Sequence, residues 1–365
     1  MKILSLGLDN SILDKNSHLA GRVVDYGNIV DKYDVVVPGG KSEPINFSDK
    51  VTVYSVGGAV KLVKLIRLYK LAKKLLEKEK YGVVTVQDQY YLGFIGLCLA
   101  RKFKIGLDVQ VHGFEKYWGL RKLLAKYVMP RADAIRAVSQ KLKEKLVSEF
   151  GVTDDKITVV PIFTDFRFQI SDFRFKKDDK DKFVFLTIGR LVEIKNVGRQ
   201  IRALKNTEFR MKNIELWIVG SGSEENNLKK EIKNLGLEGR VKMLGRQDDL
   251  DKFYRRADVF LLTSQSEGWG LVVIEAASFG LPIIMTDVGC AGEVIKDGES
   301  GLVTPVGGQK ELEEAMVKLI KDAGLRKKLG VGARRAVEKL PGREETLRLY
   351  KESWKKARDN AKLAD

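Results

Sequence analysis

Within the segment Ser264 to Ala276 two carboxylates, Glu267 and Glu275, stand eight residues apart, with Gly268, Trp269, Gly270 and Leu271 between them. The segment follows the strand-like run Val259 to Thr263 and leads into a helical one. In a parallel sheet, ligands collect where strands end: glycines let backbone N–H groups approach an anion, and the next helix adds its positive dipole end. Carboxylates at that place can accept hydrogen bonds from sugar hydroxyls at fixed geometry. A turn glutamate followed by a helix-surface glutamate is the plainer reading of the same pair. A second cluster opens the same half of the chain, where Phe183 to Ile188 leads to Gly189, Arg190 and Lys195. Two cations on a loop leaving a buried strand suit a diphosphate that must be neutralised. A third, Gly220-Ser221-Gly222, ends the run Glu215 to Val219 and has the glycine pattern of a phosphate contact. All three follow strands of one expected sheet and so share the edge where a nucleotide binds.

The first half offers less. His112 directly follows the run Gly106 to Val111 and precedes Gly113; the only other histidine, His18, lies in a polar stretch read as a loop. A histidine at the carboxyl end of a strand is a candidate for an active site, and a packing role is the alternative. Asp88-Gln89-Tyr90-Tyr91 follows Val83 to Val86 on the same expected edge, where it either lines an acceptor site or caps a helix. Cys98 and Cys290 have no cysteine or histidine at metal-ligand spacing, which supports neither a disulfide framework nor a zinc site. Both read as small core residues.

Elements that position these residues alternate between short β-branched runs and amphipathic helical stretches, the pattern of βα units around a parallel sheet. The pattern breaks at FRFQISDFRFKKDDKDK and then restarts. The reading is of two successive doubly wound α/β domains: residues 1–165, a linker at 166–182, and residues 183–343. A final helix over 344–365, with Leu347, Tyr350 and Trp354 among many Lys and Arg, must bury its apolar stripe on one of them, with the first domain preferred.

The chain has 365 residues, 44% hydrophobic and 32% charged, which rules out disorder as its dominant state. Its formal charge of +17 points either to an anionic partner, such as a phosphorylated ligand, lipid or nucleic acid, or to a solvated basic surface that aids solubility. The basic residues are spread along the chain without a nucleic-acid motif, so nucleic acid is excluded from the expected partners. No apolar stretch approaches the roughly 18 residues of a membrane span, and the start lacks a signal peptide, so a cytoplasmic protein is expected. One stretch, 61–80, puts Leu62, Leu65, Ile66, Leu68, Ala72, Leu75 and Leu76 on one half of a helical wheel and Lys64, Arg67, Lys70, Lys74 and Lys78 on the other. Such a helix lies on an anionic bilayer at the inner face of the cell membrane, or covers a sheet with its apolar half.

Together these landmarks resemble the retaining nucleotide-sugar glycosyltransferases of family 4, the glycogen synthase or group 1 type. Glu267 and Glu275 match the family's E-x7-E motif, Arg190 and Lys195 its diphosphate-binding pair, and Gly220-Ser221-Gly222 its glycine turn. Leu281-Pro282-Ile283-Ile284, Gly289 to Glu293 and Gly298 to Pro305 match later landmarks, and His112 falls at the position of the first-domain histidine. Two departures stand out: Gly7 leads into Leu8-Asp9-Asn10-Ser11 where the family often has a Gly-Gly loop, and Ile162-Phe163-Thr164-Asp165 replaces Asn-Gly-Val-Asp.

The resemblance implies the GT-B fold of two Rossmann-like domains and transfer of a hexose from a UDP-sugar or GDP-mannose to a glycan or lipid-linked acceptor. Neither a cofactor nor a metal is implied, since Arg190, Lys195 and the helix opening near Gly270 would stabilise the leaving diphosphate. It further implies that Glu275 holds the ribose, Glu267 the donor sugar and His112 the reacting sugar. Gly268, Trp269 and Leu271 would line the donor site, with Arg246 beside the base. A nucleotide-sugar epimerase or a phosphorylase of the same fold is the alternative. A nicotinamide oxidoreductase is disfavoured because neither first strand is followed by a G-x-G-x-x-G turn.

Overall fold

The computed structural model describes residues 1–40, 43–114, 118–163, 182–207 and 213–363. The chain divides into two units, one formed by residues 1–163 with 341–365 and the other by residues 164–340. Most of the expected linker at 166–182 lies outside the described residues.

In unit 1 the chain runs β1 (Lys2–Leu6), α1 (His18–Asn28), β2 (Lys32–Pro38), β3 (Ile45–Ser48), β4 (Val51–Val56), α2 (Lys61–Lys78), β5 (Val83–Val86), α3 (Tyr91–Phe103), β6 (Gly106–Val111), α4 (Gly119–Val128), β7 (Ala134–Ala137), α5 (Gln140–Phe150) and β8 (Ile157–Val159). The sheet order is β3-β4-β2-β1-β5-β6-β7-β8. Its strands are parallel except β3, which pairs antiparallel with β4; this edge strand corrects the expectation of a purely parallel sheet. Strands such as β5 and β6 are buried at every residue, as βα crossovers that cover both faces require. Ser17 and Ser139 start α1 and α5 by accepting the N–H groups of Ala20 and Leu142. His18 opens α1 and is not in a loop.

In unit 2 the order is β9 (Phe183–Ile188), α6 (Gly198–Thr207), β10 (Ile214–Val219), α7 (Glu225–Asn234), β11 (Val241–Met243), α8 (Asp251–Arg256), β12 (Val259–Leu262), α9 (Leu271–Ser278), β13 (Ile283–Thr286), β14 (Leu302–Thr304), α10 (Gln309–Lys321) and α11 (Ala323–Glu338). The sheet, β11-β10-β9-β12-β13-β14, is wholly parallel. From β9 the chain builds outward through β10 and β11, then returns to lay β12 on the other flank of β9. The crevice between those two directions is the topological switch point, where ligands bind in open α/β sheets.

The last helix, α12 (Arg343–Leu363), packs on β6 and β7 of unit 1. Its Tyr350, Ser353, Trp354 and Ala357 are buried there. Beneath it Arg136 of β7, itself buried, donates from Nη2 to Asp108 Oδ2 at 2.8 Å and to Thr85 Oγ1 at 2.8 Å. Ser353 Oγ donates to the other Asp108 oxygen at 2.7 Å, and the Arg136 guanidinium sits 4.1 Å from the centre of the Tyr350 ring. The charge pair is thus enclosed with both carboxylate oxygens hydrogen-bonded, while Nη1 of Arg136 is buried without a hydrogen-bond partner among the described residues.

Two sequence expectations need correction. Cys98 is exposed on α3, because its neighbours Leu97 and Leu99 take the inward positions; Cys290 alone is in the core. The apolar half of α2 is divided: Leu68, Ala72 and Leu76 are buried, whereas Leu62 and Ile66 face outward. A wheel assigns a half-circle, but the neighbouring elements cover only a narrower stripe of it.

Candidate functional site

The loop after β9 and the loop after β12 flank the switch point of unit 2, and they are tied across it. Lys195 Nζ donates to Glu267 Oε1 at 2.5 Å, and Ser264 Oγ donates to the same oxygen at 2.6 Å. Below them the N–H of Gln265 donates to the carbonyl of Ile194 at 2.8 Å. Thr263 Oγ1 donates to the carbonyls of Lys195 and Asn196, at 3.3 and 3.2 Å. Arg190 and Lys195 line one small recess with Thr187, Gly189 and Ser264. Two cations and a carboxylate therefore converge at the carboxyl ends of β9 and β12. Arg190 is exposed and Lys195 half-buried, the exposure an incoming anion needs.

The glycine turn after β10 serves this arrangement through backbone geometry. The N–H of Gly220 donates to the carbonyl of Gly245 at 2.8 Å, and that of Gly189 to Val219 at 3.0 Å, so both are used within the protein. A Cβ built on Gly220 would stand 1.9 Å from the Gly189 carbonyl oxygen, at a φ of +137°, and one on Gly222 would stand 2.2 Å from that of Leu191. The glycines let the loops after β9 and β10 pass each other. Alanine at Gly220 is accordingly expected to cost about 1–3 kcal/mol through strain and loop displacement, read as a lower denaturation midpoint at unchanged slope.

Glu275 stands in α9, its Oε2 accepting a 2.6 Å hydrogen bond from the Tyr254 hydroxyl of α8. Burial raises its pKa above the ordinary glutamate range, opposed by that hydrogen bond; burial, followed by the nearby Glu275 charge, likewise raises Tyr254. Gly270 caps the start of α9 at φ +92°, and Leu271 is half-buried as the first helical residue. Gly268 lies in the loop. Trp269 points into the core at 2% exposure, leaving its backbone for the site; its carbonyl accepts the Cys290 N–H at 2.9 Å. Arg246 is exposed after β11, beside Gly245. Sequence reasoning assigned no role to Ser264 and passed over Tyr254. Ser264 was legible as a hydroxyl three residues before Glu267; Tyr254 has no local signal, because packing of α8 against α9 creates its contact.

Unit 1 has a separate cavity of about 240 Å³ at the carboxyl edge of its sheet. Asp9 after β1, Gln87 after β5 and His112 after β6 line it, with Arg22 of α1 and Arg343 and Tyr350 of α12. Low-dielectric surroundings, then the positive charges of Arg136 and Arg22, hold His112 below the ordinary histidine range. Water reaches the ring, which moderates the desolvation. At neutral pH the imidazole is uncharged, with one nitrogen to donate and one to accept. Asp88 is placed otherwise: its Oδ1 accepts the N–H groups of Tyr90 and Leu92 at 3.0 and 3.1 Å, so it caps α3.

Comparison with known proteins agrees with this layout. Residues 169–336 match the family model described as glycosyl transferases group 1, and residues 31–167 the model described as glycosyltransferase family 4. An uncharacterized glycosyltransferase of Methanocaldococcus jannaschii is 31% identical over 320 residues, covering 74% of this chain and 79% of that protein. The capsular polysaccharide biosynthesis glycosyltransferase CapM of Staphylococcus aureus is 31% identical over 238 residues, 62% of each chain. Among solved structures, Anabaena HepE in complex with UDP superposes with a TM-score of 0.77 at 20% identity, covering 97% of this chain and 100% of that one. Both units have the α/β architecture of GT-B glycosyltransferases, and the chain belongs to the group 1 glycosyltransferases.

Proposed function

We propose that the protein is a retaining glycosyltransferase that moves a hexose from a nucleoside-diphosphate sugar, a UDP-sugar or GDP-mannose, to a glycan or lipid-linked acceptor without a divalent metal. It works in the cytoplasm, peripheral to the membrane where its acceptor is lipid-linked. The observation that carries this reading is the convergence of Arg190, Lys195 and the held carboxylate of Glu267 at the switch point of unit 2. The relation to CapM in capsular polysaccharide biosynthesis and the likeness to HepE bound to UDP support it.

The bond that breaks joins the anomeric carbon to the β-phosphate oxygen, so negative charge grows on the diphosphate while the sugar becomes oxocarbenium-like. Fixed cations aimed at that growing charge lower the barrier, because they need no reorganisation as it develops. Arg190 and Lys195 have this role. The acceptor oxygen bonds to the anomeric carbon on the face the phosphate leaves, and its proton passes to the departing phosphate oxygen. No protein base is then required. Glu267, locked by Lys195 and Ser264, holds sugar hydroxyls, and Glu275 those of the ribose. His112, neutral, positions the sugar with one ring N–H. An epimerase of the same fold would consume donor without acceptor, so product analysis with acceptor omitted separates the two.

Binding is tested by a thermal-shift panel of UDP, GDP, ADP and their common sugars. A ligand at 100-fold its dissociation constant adds roughly 2.7 kcal/mol. Stabilisation by one nucleotide family is expected in the wild type and reduced in Glu275→Ala. A full shift in that variant removes Glu275 from the site.

A further inference from the structure

Large apolar side chains lie uncovered on one face of unit 1. In α2, Leu62 is 67% and Ile66 47% exposed, at the uncovered edge of the apolar half whose Leu68 and Ala72 are buried. In α4 the buried positions are Ala125 and Val128, and Leu120, Leu123 and Tyr127 form an outward stripe at helical spacing. Trp118, just before that helix, is 75% exposed. The start of α3 joins the two helices: the Tyr91 ring has Lys61 Nζ at 4.6 Å from one side and the guanidinium of Arg121 at 5.9 Å. Further along, the rings of Phe94 and Tyr127 are 6.2 Å apart. These contacts make one patch of the three helices.

The polar residues of those helices are nearly all of one sign. Neither α3 nor α4 contains Asp or Glu, and α2 contains only Glu77, close to its end. Arg67 and Lys70 of α2 and Lys122 and Lys126 of α4 are exposed. Exposed apolar clusters of this kind mark interaction surfaces. A protein partner fits poorly, because interfaces between proteins are depleted in lysine. Nucleic acid offers phosphates for the lysines but no apolar phase for Trp118 and Leu123. An anionic bilayer supplies both, headgroup charge for the lysines and a boundary layer where Trp, Tyr and Leu lie favourably. The geometry points to this face as a membrane-docking surface, with Trp118, Leu123, Leu62 and Ile66 entering the boundary between headgroups and acyl chains. The inference goes beyond the transfer reaction, and its test uses no donor, so either can fail alone.

The full chain is mixed with phosphatidylcholine vesicles with and without phosphatidylglycerol, and bound protein is measured by sedimentation. Binding to the anionic vesicles is expected, weakening as salt rises, together with a blue shift of tryptophan emission. That shift belongs to Trp118, since Trp269 and Trp354 are buried and the half-buried Trp217 lies on a strand of unit 2 and not on this face, and Trp118→Phe should abolish it while leaving binding in place. Leu123→Glu, and separately the double variant Lys122→Glu with Lys126→Glu, should each lower partitioning by at least roughly tenfold. Lys230→Glu, on unit 2, should leave it unchanged. Unaltered thermal unfolding of each variant confirms that the fold is kept. Absence of binding to anionic vesicles, or binding unaffected by both sets of changes, overturns the proposal. So does a dimer that Leu123→Glu dissociates, which would assign the face to a second copy.

Discussion

Replacing Lys195 with alanine should lower turnover by about two to three orders of magnitude, the usual cost of removing one preorganised group that stabilises growing charge. The ammonium is already held at the mouth of the site by Glu267, 2.5 Å away, so no reorganisation is needed when the diphosphate departs. Loss of a transition-state contact lowers kcat and kcat/KM together, whereas loss of ground-state binding alone raises KM and spares kcat. Steady-state kinetics with donor varied decides between them. A raised KM at unchanged kcat would reduce Lys195 to a binding residue. Glu267→Ser is expected both to release the lysine and to remove a sugar contact, so in the double variant with Lys195→Ala only the part that acts through the lysine should fail to add.

The largest structural effect is expected at Arg136. Arg136→Met leaves Asp108, with no exposed surface, as an uncompensated charge beneath α12, at a cost of about 3–5 kcal/mol. In a unit of this size that corresponds to roughly 10 °C in the melting transition. Pairing the change with Asp108→Leu removes both charges and should recover much of the loss, because apolar replacement of a whole buried pair is often neutral. Calorimetry of the full chain reads the transition of unit 1. A double variant as unstable as the single one would show that packing of the guanidinium on Tyr350, and not charge pairing, holds the helix.

Much of the fold was legible because buried parallel strands appear as short runs rich in β-branched and other apolar residues, even where a polar residue such as Asp108 interrupts them: Val83–Val86, Gly106–Val111 and Phe183–Ile188 are strands over those very residues. The edge strands Ile45–Ser48 and Leu302–Thr304 were not found, since one has only two apolar residues among four and is half-buried, and the other spans three residues. Candidate site residues were legible where charge and glycine coincide at a strand end, as at Arg190 and Glu267. What escaped is nonlocal. Tyr254 reaches Glu275 because two helices pack, and the surroundings of His112 are gathered from α1, three strand ends and the last helix of the chain. Even the glycine turn was misread in part: its pattern suggested N–H groups offered to phosphate, whereas at Gly220 that N–H is bound to Gly245 and the missing side chain is what matters.

The return of α12 to unit 1 also sets an order of maturation on the ribosome. Unit 2 is a continuous stretch of chain, available for folding once residue 340 has emerged. Unit 1 is not: the floor made by Asp108, Arg136 and Thr85 lacks its Ser353 and Trp354 cover until the stretch after residue 340 has emerged as well. Unit 1, begun before unit 2, is therefore completed after it. A truncation near residue 341 would spare the cassette that carries Arg190 and Glu267 while leaving a charged, unroofed sheet behind, a likeness to a nascent chain that quality-control proteases recognise by its exposed core.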